Sequence, residues 1–210
     1  MPGDADRFRD HWWWRPGWRV GTRYYAWHLL VDDQPELQAL VRRFGDALAD
    51  DDVLDPIPDR WLHLTVHGVG HVEEIEAPEL TETVRAVSER LAVLDRPVQP
   101  FQRATLFPEG AAVVPTDVGP LGLVHEAIRA GVADALGSSR VPEQAYDFVP
   151  HVTIAYANGV AETKAARRVL DEVTPEDPVR ASFARASLIK MHRDRRQYEW
   201  EVVESVQIGQ

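Results

Sequence analysis

The sequence predicts an α+β fold in which helices pack against largely antiparallel sheets, and three observations carry that expectation. Segments with strand character alternate with segments of helical periodicity. Other strands follow one another directly, as in a hairpin: Val98 to Phe107 and Ala111 to Thr116 are separated only by Pro108-Glu109-Gly110. The tetrapeptide His63-Leu64-Thr65-Val66 returns 88 positions later as His151-Val152-Thr153-Ile154, each time in a strand followed by a helix, which reads as a duplicated half.

Taken in order, Arg23 to Val31 is aromatic and then aliphatic with no Gly or Pro, and is a strand. Asp32-Asp33-Gln34-Pro35 is a turn. Glu36 to Ala49 carries Leu37, Leu40, Val41, Phe44 and Leu48 in phase and is an amphipathic helix. Asp50 to Asp59, acidic and proline-rich, is a loop. Trp61 to Val69 alternates and is a strand closed by Gly68 and Gly70; Pro78 to Leu94 repeats the helical stripe. After the hairpin, Leu121 to Leu136 is a helix, Val149 to Ala157 a strand and Glu162 to Glu172 a helix. Val179 to His192 and Tyr198 to Ile208 form a closing pair of strands joined by Arg193-Asp194-Arg195-Arg196. The order is βα, βα, ββα, βα, ββ.

The 210 residues, 44% hydrophobic and 27% charged, lie in the ordinary globular range, which excludes disorder and coiled coil as global descriptions. No apolar run approaches the roughly 18 to 20 residues of a membrane span, and the charged start lacks a signal peptide's apolar stretch. A cytoplasmic monomer with no membrane partner is the expectation. The absence of cysteine removes disulfides, thiolate nucleophiles and cysteine-ligated metals. The formal charge of −11 opposes a large nucleic-acid duplex but leaves room for a small phosphate-bearing ligand held by local donors.

The repeated tetrapeptide carries the chemistry. Side chains alternate along a strand, so in each copy His and Thr share one face while the two aliphatics anchor the other. Two such strands related by a pseudo-twofold aim two imidazoles and two hydroxyls into one cleft. Cleaving a phosphodiester needs a base for the attacking oxygen, an acid for the leaving oxygen and donors to the non-bridging oxygens. His63, His151, Thr65 and Thr153 supply all three. An imidazole pKa of about 6.5 allows one ring to be neutral while the other is protonated.

The paired motifs, their separation and the strand–helix order resemble the two-histidine (2H) phosphoesterase superfamily, in particular its 2′-5′ RNA ligase-like and cyclic phosphodiesterase members, over about Tyr24 to Ile208. The resemblance implies a bilobal fold around a central cleft, no metal or other cofactor, and action on 2′,5′ linkages or 2′,3′-cyclic phosphates of nucleotides or RNA ends. It makes His63 and His151 the catalytic pair, with His151 as base and His63 as acid, and Thr65 and Thr153 the phosphate-holding hydroxyls. RNA ligase-like members often carry an arginine soon after the second motif. Here Tyr156 stands nearby instead, which favours a small nucleotide over an extended RNA.

Further candidates surround this core. Tyr156 can bind phosphate or stack on a base. Lys190 is the member of the basic cluster Lys190, Arg193, Arg195 and Arg196 placed within a strand. His67 shares a strand face with His63 and Thr65 by parity, so it can sit at the cleft edge. Tyr24 and His28 share one face of the first strand and Tyr25 and Trp27 the other; if the second face meets the cleft, Trp27 can bind a base. Residues 1–22 form an arm outside the bilobal domain of residues 23–210, with four of the seven tryptophans between Trp12 and Trp18. These either pack onto the domain or offer a platform for a nucleobase. Two rival readings stand beside the enzyme: a nucleotide-binding module without turnover, and a metal hydrolase built on His63, His67 and His71.

Overall fold

A computed structural model describes residues 5–142 and 148–209, so the first four residues of the arm lie outside it. The elements are β1 (Tyr24–Leu30), α1 (Pro35–Ala47), β2 (Leu54–Pro56), β3 (His63–His71), α2 (Ala77–Leu91), β4 (Val98–Phe107), β5 (Gly110–Pro115), α3 (Gly119–Leu136), β6 (Val152–Ala157), α4 (Lys164–Val173), β7 (Val179–Ser182), β8 (Arg185–His192) and β9 (Glu199–Gln207). The strands form one antiparallel sheet in the order β7-β4-β5-β6-β3-β1-β8-β9, with β2 beside β6. The α+β expectation holds.

The sheet has a seam at its centre. β6-β5-β4-β7 lies on one side and β3-β1-β8-β9 on the other, and the two halves meet through a single residue pair, Leu64 opposite Val152. Beyond that pair β2 takes over the edge of β6, so β3 and β6 part company. The helices cross over. α1 follows β1 in one half yet packs on β6 and α4 of the other, and α3 follows β5 yet packs on β3 and α2. This exchange ties the duplicated halves together by buried apolar surface as well as by the seam.

Two glycines permit close approaches that any side chain would block. A Cβ on Gly131 of α3 would fall within 3 Å of the Val87 backbone, so the missing side chain lets α2 and α3 touch. A Cβ on Gly110 would lie 2.3 Å from the Ala155 carbonyl, where β5 starts against β6 after the two-residue turn Pro108-Glu109.

Three elements differ from the sequence expectation. The segment Val179 to His192 is two strands, because β7 pairs with β4 in one half and β8 with β1 in the other. The chain changes halves at Phe183-Ala184, where Phe183 is buried and its N–H bonds the Pro97 carbonyl. Strand β3 runs on through Gly68 and Gly70 to His71, since both glycines pair with β1. The loop Asp50 to Asp59 contains β2.

Candidate active site

Leu64 opposite Val152 in antiparallel register puts His63 across from Thr153 and Thr65 across from His151. The four side chains flank one inter-strand pair, on the face away from the helices. Ile154, beside Thr153, points the other way and reaches Gly45 of α1. Both histidines are held identically. The Nδ1–H of His63 donates to the Trp61 carbonyl at 2.9 Å, and that of His151 to the Val149 carbonyl at 2.8 Å. A bond to a carbonyl fixes Nδ1 as the protonated nitrogen of the neutral ring and leaves Nε2 to accept a proton.

The surroundings are asymmetric. His63 lies among rings: His28 stacks on it at 4.2 Å with 9° between planes, and Trp200 meets it at 4.8 Å, itself in edge contact with Trp61. Burial, together with the nearby charge of His151, brings the His63 pKa down to about 4 against the pull of the Trp61 carbonyl. Burial lowers His151 as well, opposed by its bond to Val149, and its ring contact is Phe107. Thr65 is exposed, with Oγ1 3.3 Å from His28 Nε2. On the other side Tyr156 lies near Thr153, and burial pushes its ionisation well up.

With this geometry in place, sequence comparison is decisive: the profile of the 2′-5′ RNA ligase superfamily matches residues 31–195. The chain belongs to that superfamily. Among solved structures its fold is similar to TT0787 of Thermus thermophilus (20% identity, 89% of this chain and 97% of that one, TM-score 0.67). It is also similar to E. coli LigT complexed with 3′-AMP (13% identity, 90% and 99%, TM-score 0.66) and to the MHV ns2 PDE domain (13%, 86% and 99%, TM-score 0.56). No curated protein sequence matches it. Membership in this phosphoesterase superfamily supports phosphodiesterase-type chemistry.

Set on the superfamily fold, the four motif residues come together, three other candidates, His67, Trp27 and Lys190, do not reach the cleft, and the fourth, Tyr156, has its ring covered. A bulge is the reason for His67. Trp27 pairs with His67 and His28 with Thr65, so Val66 is an extra residue in β3 and the alternation flips after it. His67 therefore turns from the cleft to the helices, where it is buried against His125 of α3. Trp27, its partner in β1, is fully buried in the core and cannot stack on a base. The second motif has the matching bulge: Ala155 pairs with Ala111 and Thr153 with Ala112, leaving Ile154 extra. That bulge keeps Tyr156 on the side of Thr153, but His11 covers its ring at 4.1 Å and Trp12 meets it at 5.2 Å, so no base can stack there. Lys190 pairs in register with Tyr25, on the face opposite His28, and forms an ion pair with Glu201. His71 lies against Trp18 and Tyr24, so the three regularly spaced histidines never converge, and the described residues hold no group of three metal-ligating side chains. No helix among them is long and apolar enough to cross a membrane.

His67 retains a consequence for stability. Burial first, then the charges of His125 and Arg129, bring its pKa to about 4. The unfolded chain therefore binds a proton near pH 6.5 that the folded chain refuses until about pH 4. Stability falls as pH drops through this window, by up to about 3 kcal/mol for this one group. His67→Leu is expected to flatten the fall in melting temperature between pH 7 and 4 while leaving turnover within about twofold.

Sequence reasoning offered packing of the arm onto the domain as one reading but missed its anchors, Glu109 and Arg193. Arg9, His11, Trp13 and Arg15 all reach Glu109 of the β4–β5 turn, as the arm turns at residues 11–13 beside it. Burial alone would raise the Glu109 carboxyl, but the hydrogen bonds from His11 and Trp13 and the charge of Arg15 hold it at about 2. Arg193 is buried, donates to the carbonyls of His11 and Trp13, and lies over Trp12, Trp14 and Tyr198. No local pattern in the sequence marks Glu109 as their common partner, since the contact spans about a hundred positions of the chain.

Proposed function

We propose that the protein is a metal-independent phosphodiesterase that opens 2′,3′-cyclic phosphates or breaks 2′,5′ linkages of nucleotides or RNA ends. The observation that carries this reading is the seam pair Leu64–Val152, which sets two imidazoles and two threonine hydroxyls around one point. In the hydrolytic direction one Nε2 takes a proton from water, the water oxygen bonds to phosphorus, and the bond from phosphorus to one ribose oxygen breaks. The other imidazolium returns a proton to that oxygen, while Thr65 and Thr153 donate to the non-bridging oxygens. The motif residues bring one shared proton and no fixed cation, which suits the single negative charge of a cyclic diester better than a polyanionic strand.

In this proposal His63 is the base and His151 the acid, the reverse of the sequence expectation. Burial among His28 and Trp200, with the charge of His151 beside it, opposes a proton on His63, whereas burial alone opposes one on His151. The proton shared by the pair therefore resides on His151. The pH dependence follows. Catalytic efficiency is expected to fall on the acid side near pH 4, as His63 takes up a proton, and on the alkaline side below pH 6.5, as His151 loses one. A flat kcat/KM from pH 5 to 9 sinks the paired mechanism.

The direct test is incubation of the purified protein with 2′,3′-cyclic mononucleotides and 2′,5′-linked dinucleotides in excess EDTA, with chromatographic separation of 2′- and 3′-monophosphates. Turnover by the wild type and none by a His63→Ala, His151→Ala double variant supports the reading. Turnover that survives in the double variant, or that EDTA abolishes, overturns it.

A further inference from the structure

The cleft holds a third histidine that the two motifs do not contain. His28 sits in β1 directly opposite Thr65, is 1% exposed, stacks on His63, and has its Nε2 3.3 Å from Thr65 Oγ1. Its Nδ1 is buried and has no hydrogen-bond partner among the described residues. A threonine hydroxyl can donate or accept, so both neutral tautomers of His28 allow the bond to Thr65, but they differ in what they bury. With the proton on Nδ1, a buried N–H is orphaned and the Thr65 hydroxyl spends its only hydrogen on His28. With the proton on Nε2, only a lone pair is orphaned, and orphaned buried N–H groups are the rarer kind. In that second state Thr65 accepts from His28 and its hydrogen is free to turn to the exposed side, where a phosphate oxygen would lie.

We infer that His28 is a positioning residue for Thr65: held as the neutral Nε2–H tautomer, it donates to Oγ1 and aims the threonine hydrogen at the non-bridging oxygen of the substrate. The inference rests on the phosphodiesterase reading above. Burial, and then the proximity of His63, keep His28 neutral, consistent with a fixed donor that takes no part in the proton transfers.

The test is a set of variants with turnover of a 2′,3′-cyclic nucleotide as readout. His28→Phe keeps the ring and removes the donor; His28→Gln places an amide N–H near the position of Nε2. The phenylalanine variant is expected to lose about 10- to 100-fold in kcat, and the glutamine variant to recover most of it. In a Thr65→Val background the His28→Phe penalty is expected to vanish, because the hydrogen it orients is gone. Equal activity of His28→Phe and wild type, or a penalty that persists undiminished in the Thr65→Val background, overturns the inference. Long-range ¹H–¹⁵N spectra of the histidine-labelled wild type need no variant: an Nε2-protonated His28 supports it and an Nδ1-protonated one overturns it. If the wild type does not turn over the cyclic nucleotide, the phosphodiesterase reading fails instead, and the tautomer spectra still decide on His28; if His63→Ala keeps wild-type turnover, the paired mechanism fails.

Discussion

Replacing His63 or His151 by asparagine is expected to lower kcat on a 2′,3′-cyclic nucleotide by about 10³-fold, and replacing both by little more than either alone. Asparagine is the informative substitution. Its amide N–H can still donate to the Trp61 or Val149 carbonyl that each imidazole now uses, so the strand ends stay anchored while the titrating Nε2 is lost. General acid and general base act in one transition state, so once either is missing the other has little left to stabilise; the losses are therefore far from additive. Alanine at position 63 would do more than remove a proton carrier, because His28 and Trp200 both pack on that ring. The comparison of asparagine with alanine thus separates chemistry from packing. Steady-state kinetics with melting temperatures for each variant make the check. Losses below tenfold in folded protein at both positions remove the pair from the mechanism.

What the sequence reveals is what depends on short range. Each His-x-Thr-x motif is four residues in one strand, so alternation alone puts its His and Thr on one face, and the duplication implies that two such faces meet. The helices are legible for the same reason, their stripes being local. What escapes is set by partners. One extra residue at Val66 sends His67 to the helices, while Trp27 faces them by simple alternation with His28 in β1. Nothing in the composition of Leu64-Thr65-Val66-His67 marks a bulge, since each residue is compatible with a strand. The break at Phe183-Ala184 is hidden likewise, because strand-compatible residues continue through it and only the identity of the neighbouring strand changes. His28 is ambiguous in sequence because the face of β1 that meets the cleft is decided by β3 and β8 on either side of it.

The arm offers the second large effect. Trp12→Ala is expected to cost about 3 to 5 kcal/mol of stability, as is usual for a buried aromatic, whereas Trp13→Ala and Trp14→Ala should each stay within about 1 kcal/mol. The four tryptophans of the arm have separate environments. Trp12 is 8% exposed, packs on Tyr156 and Tyr198, donates from Nε1 to Asp55 and lies under the Arg193 guanidinium. Trp13 and Trp14 are 47% and 48% exposed, and Trp18 rests on Tyr24 and His71. Packing therefore accounts for the first and the last, and only the middle pair has the free surface that stacking on a base requires. Loss of Trp12 also uncovers Tyr156, which lies on the side of Thr153, so turnover should fall along with stability. Trp14→Ala separates the two roles of the arm. If it raises KM for a nucleotide at unchanged melting temperature, the exposed indole contacts substrate; if neither moves, the arm serves to brace Tyr156 and Thr153 from behind. Glu109, held at about 2, stays ionised across the whole pH range of such assays, so the anchor does not loosen while the histidines titrate.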